Sequence, residues 1–136
     1  MKLDRITLVG MVAMTAISTD LYLSGIPLII AEFNATQADG QLTLGIFMLG
    51  ISLGQLIYGP LSDFYGRKPV LYVGLIAYIV ASFACAIAFS MQQLFLARLC
   101  QALAAACGPV LARAIVADTY PTRDAAKVMA TLAASM

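Results

Sequence analysis

The sequence predicts an all-α membrane protein with four transmembrane helices and the start of a fifth. Three observations lead to this fold class: 62% of the 136 residues are hydrophobic, only 11% are charged, and the apolar residues form long runs. A soluble domain carries about 25% charged residues, and a chain of this size has too little interior to hide so many apolar side chains. Disorder is excluded as well, because disordered chains are polar and highly charged.

Four apolar runs are each long enough for a helix that crosses a bilayer, which takes about 20 residues. They cover residues 6–30, 42–61, 70–89 and 94–117. The runs do not alternate as the strands of a membrane barrel do, and the short polar breaks between them make consecutive helices antiparallel neighbours. A weaker apolar stretch starts at about residue 125 and continues to Met136. We therefore expect 1–136 to be a partial N-terminal transmembrane bundle that stops inside a fifth helix.

The distribution of Lys and Arg predicts the orientation of the bundle. Cations lie in residues 1–5, in the break 62–69 and in the segment from Arg113 to Lys127, whereas the breaks 31–41 and 90–93 have none. Because cytoplasmic loops carry the excess of Lys and Arg, we expect a cytoplasmic N-terminus. The first run is too long for the apolar part of a cleaved signal peptide.

Composition also excludes several functions. The net charge of +1 gives no basic surface for nucleic acid. The chain has no His, and its three Cys lie inside apolar runs, so neither a metal site nor a disulfide framework is expected. No nucleophile–base pair or nucleotide-binding loop indicates an enzyme.

Two charges inside the runs are candidates for function. Asp20 lies well inside the first run, where a carboxylate costs about 2.5–3.5 kcal/mol on insertion scales. Asp20 either takes part in the function or has only a structural role, in which it pairs with a nearby cation or stays protonated. Arg98 lies about one turn into the fourth run on the same outer side, where it either pairs with Asp20 or extends outward to the headgroups. Gln101 and Ala105 follow Arg98 on the same helix face.

Glycine and proline mark packing and bends. Gly50 and Gly54 form a GxxxG pair in the second run, which favours close helix packing. Pro27 and the Gly108–Pro109 pair are expected to interrupt the first and fourth helices, because proline removes a backbone hydrogen bond.

The loop at 59–68 reads Gly-Pro-Leu-Ser-Asp-Phe-Tyr-Gly-Arg-Lys, an order that generic turn chemistry does not explain. It resembles the signature loop of the major facilitator superfamily between helices two and three. Residues 20–27, Asp-Leu-Tyr-Leu-Ser-Gly-Ile-Pro, resemble the first-helix motif of the drug:proton antiporters, in particular the bicyclomycin-resistance-type branch. Residues 98–101 resemble the fourth-helix Arg-x-x-Gln motif, and 113–118 fit the same branch. One departure is Ala102, where the family usually has Gly.

The resemblance implies part of the N-terminal six-helix half of a twelve-helix, proton-coupled multidrug antiporter of the cell inner membrane. Its partners would be protons, a small amphipathic substrate, the bilayer and a C-terminal half, with the proton gradient as energy source, no cofactor and no nucleic acid. Proton coupling would involve Asp20 and Arg98, and the substrate cavity would involve Tyr22, Ser24, Gln101 and Ala105. The conformational loop motif would comprise Gly59, Asp63, Gly66, Arg67, Lys68 and Asp118.

Two alternatives remain open from the sequence. One is a self-contained four-helix transporter of the small multidrug type that acts as a homo-oligomer, against which the loop motif and the unfinished helix argue. The other is an inactive membrane fragment. Asp20 argues against it, because an inactive fragment gains nothing from an acid inside an apolar run. The fifth-helix antiporter motif lies outside the chain, so the direction of coupling rests on the resemblance alone.

Overall fold

The computed structural model describes residues 5–134, which form six α-helices and no strand. The helices are α1 (Arg5–Phe33), α2 (Gln37–Tyr65), α3 (Arg67–Ala86), α4 (Met91–Ala105), α5 (Cys107–Thr119) and α6 (Thr122–Ala134). By length and composition, four segments of this part of the chain are able to cross a membrane: α1, α2, α3 and the fourth span, which we define as Met91–Thr119, α4 with α5. The predicted all-α fold class is confirmed.

The second helix begins before its apolar run because polar residues cap its N-terminus. Thr36 precedes α2, and its hydroxyl accepts a hydrogen bond from the Asp39 backbone N–H at 3.2 Å. The Asp39 carboxylate accepts one from the Thr36 backbone N–H at 2.9 Å. This reciprocal capping box starts α2 at Gln37, five residues before the apolar run.

The fourth span is divided at Ala106, close to the predicted position, whereas α1 continues through Pro27 without a break. Pro109 has no N–H to donate to the Ala105 carbonyl one turn earlier. That carbonyl instead accepts a hydrogen bond from the Thr15 hydroxyl of α1 at 3.3 Å. The expected interruption at Pro27 is wrong, since the loss of one bond does not end a helix whose other turns remain bonded.

Small residues bring the helix backbones into contact. A Cβ on Gly50 would lie 2.6 Å from the Ala102 Cβ, and one on Gly54 would lie 2.6 Å from the Ala106 Cβ. The predicted close packing at the GxxxG pair is therefore confirmed, with the fourth span as its partner. A Cβ on Gly108 would lie 2.3 Å from the backbone oxygen of Met11, so α5 touches the backbone of α1 there.

The buried apolar residues form two clusters. The larger lies among α1, α3, α5 and α6 and includes Leu8, Val12, Leu111 and Val128, while the smaller joins Phe47 of α2 to Ala102 and Ala105 of α4. Large apolar side chains on the outer faces of the first three helices stay exposed. The fourth span is the most buried of the four, so it is the central element on which the other helices pack.

The Gly108 contact predicts a sharp difference between two glycine substitutions. In Gly108→Ala the new Cβ meets backbone rather than a movable side chain, so we expect a loss of about 1–3 kcal/mol of stability from overpacking. Gly10→Ala is the matched control, because a Cβ on Gly10 of α1 meets nothing within 4 Å. Thermal unfolding in detergent measures the stability of both variants. It is done on the full-length protein, meaning the complete product of the reading frame that encodes this chain. Equal unfolding temperatures in the two variants would contradict the close contact.

Candidate functional site

Arg98 is buried inside the helix bundle. It is 2% exposed, so the alternative that its side chain extends outward to the headgroups is wrong. Its Cζ lies 3.6 Å from the centroid of the Tyr22 ring of α1 and 4.2 Å from that of the Phe47 ring of α2. Both distances are within the range of cation–π attraction. Two aromatic rings on different helices therefore hold the charged group of Arg98.

A chain of hydrogen bonds joins Arg98 to α3. Its Nη1 donates to Gln101 Oε1 at 2.7 Å, and Gln101 Nε2 donates to the Ser82 hydroxyl at 2.9 Å. The Ser82 hydroxyl donates to the Tyr78 carbonyl oxygen at 2.8 Å. Arg98 Nε and Nη2 are also buried, and within residues 5–134 they have no hydrogen-bond partner. One edge of the guanidinium thus donates a hydrogen bond, while the other is buried without a hydrogen-bond partner in this part of the chain.

An open cavity of about 780 Å³ lies beside this network, between α1, α3 and the fourth span. Its polar lining comprises Ser18, Tyr22, Glu32, Tyr78, Ser82, Arg98 and Gln101, and most of the remainder is apolar. The Cα atoms of α1 and α3 stay more than 8 Å apart, yet Ser18 and Tyr78 share a hydrogen bond between their hydroxyls. The volume is within the roughly 300–1,000 Å³ typical of small-molecule sites.

Asp20 and Arg98 do not meet in this structure. Asp20 is exposed, and no ion pair joins it to Arg98 among the residues described. The reason is the position of Tyr22 on the same helix: residues two apart point about 200° apart, so the rotation that stacks Tyr22 on Arg98 turns Asp20 away. The expected Asp20–Arg98 pair is therefore corrected to a Tyr22–Arg98 stack.

Two of the four predicted cavity residues lie elsewhere. Ser24 is exposed, and its hydroxyl donates to the Leu21 carbonyl of its own helix at 2.9 Å. Ala105 is fully buried against Phe47 rather than open to the cavity, because the side of α4 that carries it packs on α2. Tyr22 and Gln101 do line the cavity.

The loop motif gathers its charges around Arg67 at one end of the bundle. Arg67 Nη1 lies 2.6 Å from Asp63 Oδ1, and Arg67 Nε lies 3.0 Å from Asp118 Oδ2 at the end of α5. Arg67 also donates to the hydroxyl of Ser62, which is buried. We call Asp63, Arg67 and Asp118 the charge cluster. It places the loop at 59–68 and the end of the fourth span at the same end of the bundle.

The remaining loop residues have backbone or surface roles. Gly66 alone links α2 to α3 with a φ of +89°, a conformation that glycine adopts without strain. Gly59 contributes its carbonyl, which accepts a hydrogen bond from the Ser62 hydroxyl at 2.9 Å. Lys68 is exposed, and it forms no ion pair with another residue of the described range.

Several residues at the site escaped the sequence analysis. Phe47, Tyr78 and Ser82 carry no motif, and only their contacts with the Arg98 network mark them. Ser62 lies inside the loop motif without being among its candidate residues, yet it is buried and accepts a hydrogen bond from Arg67. The one available signal was polarity, since hydroxyl groups within apolar runs need hydrogen-bond partners.

Comparisons with known proteins agree with this architecture. A family model for the Major Facilitator Superfamily matches residues 8–136. An uncharacterized transporter of Rickettsia bellii is 34% identical over 131 residues, covering 96% of this chain and 32% of that protein. The uncharacterized MFS-type transporter YdgK of Bacillus subtilis is 35% identical over 133 residues, covering 95% of this chain and 33% of that protein.

A third relative carries a more specific name. The multidrug resistance protein MdtL of Citrobacter koseri is 35% identical over 113 residues, covering 83% of this chain and 29% of that protein. The chain spans about a third of the length of these curated relatives. The match of the family model to almost the whole chain, together with its four apolar spans, shows that this is a multi-pass membrane protein of the major facilitator superfamily.

Proposed function

We propose that this chain is the N-terminal part of a proton-coupled multidrug efflux transporter that exports small amphipathic compounds across the cell inner membrane. The observation that carries the proposal is the buried Arg98 at the wall of an open, largely apolar cavity. The N-terminus would be cytoplasmic. The partners would be the substrate, protons, the bilayer and a C-terminal half.

The setting of Arg98 supports transport rather than a structural role. An arginine within a span costs about 2.5–3.5 kcal/mol on insertion scales, and two aromatic rings and one hydrogen bond offset part of that cost. A wall that is mostly apolar with a few polar groups suits amphipathic molecules. The name of MdtL as a multidrug resistance protein supports a role in multidrug efflux.

The proton-binding residue in this proposal is Asp20. It is exposed on a face of α1 that no other described helix covers, which leaves the carboxylate free for protons and for the remainder of the transporter. Alternating access would change the surroundings of Asp20, so that one conformation favours the protonated acid and another the charged one. Proton release and export would then be linked.

The charge cluster would stabilise one of the alternating conformations. Asp63, Arg67 and Asp118 are partly exposed, with side-chain exposures of 67%, 25% and 54%. Exposed ion pairs contribute about 0–1 kcal/mol each. Pairs of this strength shift an equilibrium between two conformations without deciding whether the protein folds.

Substitutions in the charge cluster test this role. We expect Asp63→Asn and Asp118→Asn to reduce transport several-fold, because each removes an ion pair of one conformation only, while membrane insertion and unfolding temperature stay close to wild type. Asp124→Asn, an exposed acid outside the cluster on α6, is the matched control. Transport in vesicles containing the full-length protein gives the readout, and wild-type rates in both cluster variants would remove the role.

Substitution of Asp20 tests proton coupling itself. Asp20→Asn mimics the protonated acid and cannot release a proton, so we expect it to insert and fold yet lose efflux driven by an imposed pH gradient. Asp20→Glu should keep partial activity because it keeps a titratable carboxylate. Efflux by the full-length variants in vesicles, with Asp124→Asn as the control, measures both. Undiminished gradient-driven efflux in Asp20→Asn would show that Asp20 is not the coupling acid.

A further inference from the structure

The free edge of Arg98 has the geometry of a carboxylate site. In a guanidinium, the N–H groups of Nε and Nη2 lie parallel on one edge and fit the two oxygens of a carboxylate. In Arg98 these are the two nitrogens without a partner, whereas Nη1 on the other side is held by Gln101 Oε1 at 2.7 Å. The hydrogen bond to Gln101 therefore fixes the group with its bidentate edge unoccupied.

The aromatic rings restrict how a ligand reaches that edge. Tyr22 and Phe47 hold Cζ of Arg98 at 3.6 and 4.2 Å from their ring centroids. Rings in these positions leave the in-plane N–H groups as the remaining polar contacts of the cation. A buried charge with unpaired N–H groups is costly unless an anion or another acceptor joins it in some state of the protein.

No acid of the described cavity wall fills this position. Asp20 points away from Arg98, as the Tyr22 contact requires. Glu32 lines the cavity, but it lies ten residues beyond Tyr22, or about 15 Å along α1. The cavity has a volume of about 780 Å³ and extends from Arg98 along a wall that is mostly apolar. An anionic head with an apolar body matches this combination of one cation and one apolar wall.

From these contacts we propose that the cavity binds small molecules with a carboxylate head and an apolar body, with the carboxylate on the Nε/Nη2 edge of Arg98. The inference rests on the proposed efflux function for its biological role. Within the small amphipathic compounds of that proposal, it specifies organic acids as substrates. Tyr22 lines the cavity and stacks on Arg98, so it forms part of the wall beside the carboxylate position. Nε and Nη2 are covered in this structure, so a carboxylate reaches them in a state of the protein in which neighbouring side chains have moved.

Binding of three matched probes to the full-length protein in lipid nanodiscs tests the inference without any pH gradient. The probes are 4-phenylbutanoate, its neutral amide and 4-phenylbutylamine, which share one apolar body and differ in the head group. Charge-assisted bidentate hydrogen bonds are about twice as strong as neutral ones, so we expect the carboxylate to bind at least about tenfold tighter than the amide and the amine to bind weakest. Calorimetry gives the three dissociation constants. Equal affinities of the carboxylate and the amide in the wild-type protein would overturn the inference without any variant.

Variants then locate the site. Arg98→Lys keeps the charge but loses the fork of parallel N–H groups, so the preference for the carboxylate should fall to less than about threefold. Arg113→Lys is the matched control, since Arg113 lies in the same span but not on the cavity wall, and it should keep the full preference. Unfolding temperatures report whether each variant is folded. A preference that Arg98→Lys retains would place the carboxylate elsewhere.

A last comparison separates a ligand carboxylate from the chain's own acid. Asp20→Asn should leave the preference for the carboxylate over the amide unchanged, because Asp20 faces away from the cavity. If the preference appeared only in Asp20→Asn and not in the wild-type protein, Asp20 itself would occupy the Nε/Nη2 edge of Arg98, and the inference would be wrong. The binding result is independent of the transport result. Carboxylate binding without gradient-driven efflux would contradict the proposed function alone, and efflux without carboxylate preference would contradict this inference alone.

Discussion

The contact between α1 and the fourth span at Gly108 and Pro109 sets the rotation of α1, and the candidate site depends on it. Gly108 admits the Met11 carbonyl, and Thr15 donates to the carbonyl that Pro109 leaves free. In a membrane such a carbonyl needs a partner within the protein. Met11 and Thr15 therefore face the fourth span, and Ser18 and Tyr22 continue the same helix face at spacings of three and four.

This rotation separates Asp20 from Arg98. Tyr22 reaches Arg98 and stacks on it, so the cation lies inside the bundle. Asp20, about 200° away around α1, lies on the exposed face. A cation at a cavity wall and an acid on an outer face are available to different partners. That division is the physical basis for assigning the proton to Asp20 and an organic carboxylate to Arg98.

The fourth span connects the cavity to the charge cluster at the other end of the bundle. Arg98 and Asp118 are twenty residues apart, about 30 Å along a helix, and the division at Ala106 lies between them. Small residues on α2 and α3 hold this span closely, with Gly54 against Ala106 and Gly74 against Cys107. One tightly packed element thus carries both the buried cation and one acid of the cluster.

The sequence by itself determined the all-α class, the four spans, the GxxxG packing and the family, because hydropathy, small-residue spacing and the order of residues in a loop are local properties. It also identified Arg98 and Gln101, since polar groups stand out in apolar runs. Only the tertiary structure decided what these groups contact: Phe47 and Ser82 had no motif, Pro27 proved compatible with a continuous helix, and Ala105 faced α2 instead of the cavity. The reason is helix rotation, which depends on contacts between residues as distant in sequence as Met11 and Gly108.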